Sequence, residues 1–128
     1  MTEQIAKLKE IIKFDLIYSH IISYFTKVVS STSGSHCIAA ILQRNDKLVV
    51  SRVWRSVDSL GEHFSLDVQQ LEIFDKYDGW DKAFDYFWKL ADGDWFLENG
   101  WELSFEHYTA RGQGIILFRD PLSTGVAC

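Results

Sequence analysis

Apolar residues in the first thirty positions recur at intervals of three and four. Leu8, Ile11, Phe14, Tyr18, Ile21, Ile22, Phe25, Val28 and Val29 would share one face of a helix. The spacing predicts a helix from Thr2 to about Ser30, with Thr2 as its N-cap and Ser30-Ser31-Thr32-Ser33-Gly34-Ser35 as the loop that stops it. The period then changes. His36–Leu42 and Leu48–Trp54 read as two strands of a hairpin around Arg44-Asn45-Asp46-Lys47, and residues 55–61 read as a loop. Phe64, Leu66 and Val68 alternate with Ser65, Asp67 and Gln69 in a third strand running towards Phe74. Helical spacing returns at Trp80, Ala83, Phe84, Phe87 and Ala91, with Asp78 as the expected N-cap and Gly93 as the expected stop. Beyond it, Trp101, Leu103 and Phe105 alternate with Glu102, Ser104 and Glu106. A hairpin turn at Gly112-Gln113-Gly114 leads to a last strand, Ile115–Phe118, and Asp120–Gly125 closes the chain as a tail.

This order predicts a single α+β domain over residues 1–128. A long N-terminal helix and a second, aromatic-rich helix would pack on an antiparallel sheet of about five strands. Two helices cover only one face of such a sheet. Ile38, Ala40, Leu42, Val49 and Val53 then need cover on the other, so a homodimer burying Val49, Val53 and their neighbours is expected.

Composition sharpens the picture in two places. Aromatic residues make up 15% of the chain, so its core is expected to consist of a few large side chains. The two cysteines, Cys37 and Cys128, make neither a disulfide framework nor a zinc pattern and fit a reducing cytoplasm. No run approaches the ~18 apolar residues of a membrane span, and the charged N-terminus lacks the apolar centre of a signal peptide.

Charge is unevenly distributed. Residues 1–57 hold eight Lys/Arg against four Asp/Glu, whereas residues 58–106 hold three against thirteen. The second balance predicts an acidic surface. Asp78, Asp81 and Asp85 fall at helical spacing beside the aromatic stripe, Asp92 and Asp94 follow, and Trp88 and Trp95 lie among them. These seven residues are the candidate protein-binding surface, and a basic protein is the expected partner. The acids lack the alternate spacing of a calcium loop, and no histidine pair has metal-ligand spacing. No nucleophile motif occurs, the glycines of Gly112-Gln113-Gly114 lack the context that cradles phosphate, and the arginines are too scattered for nucleic acid.

The reading is therefore a non-enzymatic, cytoplasmic interaction module of the immunity, inhibitor or chaperone type, without cofactor or metal. The alternative is a ligand-binding or catalytic pocket lined by Trp80, Phe84, Trp101 and His107. The element order and the stretch Trp95-Phe96-Leu97-Glu98-Asn99-Gly100 before a strand loosely resemble the type III secretion chaperones, mainly over residues 80–120. The C-terminal helix of those chaperones has no counterpart in the pattern. The same order permits a cone-shaped, curved-sheet fold of the nuclear-transport-factor-2 kind, which would suit the pocket.

Overall fold

The computed structural model describes residues 2–31, 34–57 and 64–121, with the backbone alone described at residues 2, 55–57 and 64–67. The rest of the loop expected at 55–61, the tail beyond Pro121 and Cys128 lie outside the described residues. The first helix, α1 (Thr2–Tyr18), is shorter than expected, and Ser23–Ser30 forms a strand, β1. The sequence of β1, Ser-Tyr-Phe-Thr-Lys-Val-Val-Ser, is rich in the β-branched and aromatic residues that favour a pleated surface. Its burial alternates: Tyr24, Thr26 and Val28 are buried, while Phe25, Lys27 and Val29 are half-buried. A short apolar run satisfies both periods, and here the strand prevails because two neighbours offer it backbone partners.

Five more strands follow: β2 (Gly34–Arg44), β3 (Lys47–Val57), β4 (Phe64–Asp75), β5 (Glu102–Tyr108) and β6 (Gln113–Arg119). They make one sheet in the order β4-β3-β2-β1-β6-β5. The α+β class is as expected. Among the described residues, however, the sheet has six strands rather than about five, and it is mixed, because β1 runs parallel to β6 with Ser23 opposite Gln113. The hairpin between β2 and β3 turns on Asn45 and Asp46, with Asn45 in the left-handed region at φ 57°.

The second helix, α2 (Trp80–Leu90), stands where the pattern placed it. Gly79 rather than Asp78 occupies its N-cap position. The Asp75 carboxylate instead accepts hydrogen bonds from the backbone N–H groups of Tyr77 and Asp78, at 3.1 and 3.3 Å. Gly93 does not end the helix. It opens a short third helix, α3 (Gly93–Glu98), after Asp92 turns the chain at φ 54°. Glycine is needed at 93 for space, since a β-carbon there would overlap the Trp88 indole.

Leu8, Ile12 and Leu16 of α1 and Trp80, Phe84 and Phe87 of α2 pack with Tyr24, Ile41, Val50 and Phe118 of the sheet into one core. Fully burying a side chain of this kind contributes about 1.5–3 kcal/mol. On β3, Val49 and Val53 alternate with core-facing Leu48 and Val50, yet they are only 7% and 2% exposed within a single chain. Val49 and Val53 are therefore already covered without a second copy.

Candidate functional site

The seven residues of the expected protein-binding surface differ in exposure. Asp78, Asp85 and Asp92 are exposed. Asp81 is engaged: its Oδ1 accepts from Lys9 Nζ at 2.7 Å, and that hydrogen bond holds its carboxyl below the usual carboxylate range. Lys9 also lies 5.7 Å from the centre of the Phe84 ring, so it ties α1 to α2. Trp88 is not a surface residue. It is 5% exposed, stacks on Phe84 at 5.9 Å, and donates its Nε1–H to Asp94 Oδ1 at 2.9 Å. Asp94 thus satisfies a buried donor while remaining exposed itself.

Trp95 is the large apolar side chain of this region that stays outside, at 53% exposure on α3. Asp92 and Glu98 lie three residues to either side of it and Asp94 is its neighbour, while α3 itself carries no basic residue. Trp95 rests edge-on against Phe96 at 5.2 Å, and the Asn99 side chain donates to the Trp95 carbonyl at 2.8 Å. Both contacts fix the short helix on which the indole stands. Beside Asp92 a groove of about 680 Å³ runs between the end of α2 and the sheet, with Arg52, Trp54, Gln69 and Lys89 along it.

The four residues of the alternative pocket do not converge. Trp80 and Phe84 are buried core, their rings 5.9 Å apart. Trp101 is half-buried against Phe96, at 4.8 Å. His107 turns to different partners. The Tyr24 O–H donates to Asp15 Oδ2, and His107 Nε2 lies 2.7 Å from the Tyr24 oxygen and 3.0 Å from that same carboxylate oxygen.

The chain builds this trio from three elements. Tyr24 on β1, Gly114 on β6 and His107 on β5 are consecutive cross-strand neighbours, and Asp15 comes down from α1. Burial, reinforced by the hydrogen bond to Asp15, pushes the Tyr24 hydroxyl far above the ordinary tyrosine range, so it acts as a donor and not as a base. The pattern singled out only His107 of these three. A glycine inside a strand signals close approach of another group, and Gly114 carried that signal, although its position suggested a hairpin turn. Among the described residues no three His, Cys, Asp or Glu side chains converge as metal ligands would, and no helix is long and apolar enough to cross a membrane.

Compared with protein-family models, curated proteins and solved structures, the chain matches none.

Proposed function

We propose that the protein is a non-enzymatic interaction module that recognises a basic protein partner through α3 and the adjoining turn, with Trp95 as the anchor and Asp92, Asp94 and Glu98 around it. The observation that carries this reading is the half-exposed indole of Trp95 on a helix without a basic residue. Tryptophan dominates binding energy where a partner desolvates it, and surrounding carboxylates speed the approach of a basic surface. Asp78, before α2, and Asp85, on it, are further exposed carboxylates, whereas Asp81 is paired with Lys9 and Trp88 is buried. A cytoplasmic setting forms part of the proposal, as do immunity, inhibitor or chaperone-type roles. A homodimer would have to use surfaces other than Val49 and Val53; among the described side chains of the edge strand β4, Val68 and Ile73 are exposed apolar residues.

The test is affinity capture from the native host with the wild type and with Trp95→Ala, at low and at high salt. A basic protein retained by the wild type at low salt, and lost both with Trp95→Ala and at high salt, is the expected result. Recovery of the same proteins by both baits overturns the proposal.

A further inference from the structure

Among the described residues β5 ends the sheet, with β6 as its strand neighbour. In such a strand the N–H and C=O groups of alternate residues point outward, where another strand can pair with them. The two edges of the sheet differ. Along β4 the register against β3 slips between Val50 and Ser51, an irregularity of the kind that twists an edge away from other strands. β5 keeps one register with β6 from Glu102 to Tyr108 and holds neither lysine nor proline.

A helix face stands beside this edge. Gln4, Lys7, Ile11, Phe14 and Tyr18 follow one another at steps of three and four along α1, the spacing of a helix–helix seam. The first three border a cleft of about 430 Å³ together with Leu103 and Phe105 of β5. Ile11 and Phe105 are exposed, and Phe14 and Tyr18 are 59% and 65% exposed. Helix and strand run in the same direction. Ile11 and Phe105 share the cleft, and Asp15, one turn further on, meets His107, two residues further on, at 3.0 Å.

Charge decides which strand suits the edge. A second copy related by a two-fold axis normal to the sheet pairs antiparallel with β5 and keeps both α1 helices on one face. The residue at the axis then faces itself. With Ser104 at the axis, Glu102 faces Glu106 of the second copy; with Glu106 there, that carboxylate faces itself. With Phe105 there, Glu102 faces Tyr108, Ser104 faces Glu106 and Leu103 faces His107. Like charges directly opposite are destabilising. The Phe105 register avoids them, and it alone pairs all seven residues of the strand.

We infer that the protein forms a homodimer by antiparallel pairing of β5 with β5 of a second copy, centred on Phe105. The two Phe105 rings meet at the axis, and the rows Ile11, Phe14 and Tyr18 of the two antiparallel helices approach each other above it. Seven residues of β5 and five of α1 fall short of the usual interface of about 20–30 residues a side. Dissociation in the micromolar range is therefore expected. The dimer is independent of the reading of Trp95, and Trp95→Ala should associate as the wild type does.

Sedimentation equilibrium of the full chain, from about 1 to about 200 µM, should show a reversible monomer–dimer equilibrium. Phe105→Asp sets two carboxylates against each other at the axis and should leave a monomer with the circular dichroism of the wild type. Cross-linking in a Cys37→Ser, Cys128→Ser background tests the register, and decides the matter should Phe105→Asp not fold. Phe105→Cys should form an intermolecular disulfide on mild oxidation, because opposed Cα atoms of antiparallel strands stand about 4.5–5.5 Å apart. Ser104→Cys alone should not, but it should cross-link to Glu106→Cys when the two variants are mixed. A wild type that is monomeric at every concentration overturns the inference and leaves the edge to a strand of another protein. A folded Phe105→Asp variant that still dimerises overturns it too, as pairing through β4 would give. So does a Phe105→Cys variant that fails to cross-link.

Discussion

The ring of Tyr24 lies across Gly114, so closely that a β-carbon on Gly114 would overlap Cε1 and Cζ of the tyrosine. Gly114 is the cross-strand neighbour of Tyr24 on one side and of His107 on the other. The missing side chain is the gap through which the Tyr24 hydroxyl passes over β6 to reach His107. Gly114→Ala should therefore destabilise the protein by about 1–3 kcal/mol, the usual cost of overpacking. In a Tyr24→Ala background the same substitution should cost far less. Urea denaturation of the four proteins of this cycle measures the coupling.

Alkaline titration gives a second expectation. Because the folded protein raises the Tyr24 pKa, the contribution of that hydroxyl to stability is complete below the unfolded value of about 10. It is lost as pH rises above that value towards the folded one. Tyr24 should stay protonated until the protein unfolds. Near-ultraviolet absorbance should thus show the same tyrosinate amplitude for folded Tyr24→Phe as for folded wild type.

Asp94 and Trp95 are adjacent in sequence and should behave oppositely. Asp94→Ala strands the buried Trp88 N–H without its acceptor and should cost about 1–3 kcal/mol. Trp95→Ala removes a larger side chain but one mostly in solvent, with a single edge-on contact to Phe96, and should cost under about 1 kcal/mol. Thermal unfolding of both variants makes the comparison.

Acid should weaken the fold through two exposed carboxylates. The backbone N–H groups of Tyr77 and Asp78, aided by Lys47, hold the Asp75 carboxyl below its usual range, and Lys9 does the same for Asp81. A depressed folded pKa means that the contribution is present above the unfolded value, about 3.9. It is lost as pH falls through the folded one. Asp75→Asn and Asp81→Asn should each flatten the fall in melting temperature below about pH 4, with little change at pH 7 beyond a constant offset.

The parts of the fold legible in the sequence were those governed by local period. Trp80, Ala83, Phe84, Phe87 and Ala91 are all buried, as the stripe on α2 requires. β1 was not legible, because Ile21–Val29 fits a helix as well as a strand until β2 and β6 are there to pair with it. Trp88 lay off the main stripe and suggested surface, yet the donor–acceptor pair with Asp94 draws it inside. The trio escaped for a different reason. Asp15, Tyr24 and His107 meet through sheet order, and no spacing along the chain records which strand lies beside which.

The parallel pairing of β1 with β6 also has a temporal consequence. β1 is the third-from-edge strand of the finished sheet, but its neighbour on one side, β6, is synthesised about eighty residues after it. Until β6 is in place, β1 shows a row of unpaired backbone groups, the kind of open edge on which foreign strands template. Closing it requires contacts between distant parts of the chain, which form slowly. The newly made polypeptide is thus most prone to aggregate before β6 docks. A substitution that weakens β6, such as one at Gly114, would lengthen that interval as well as lower the equilibrium stability.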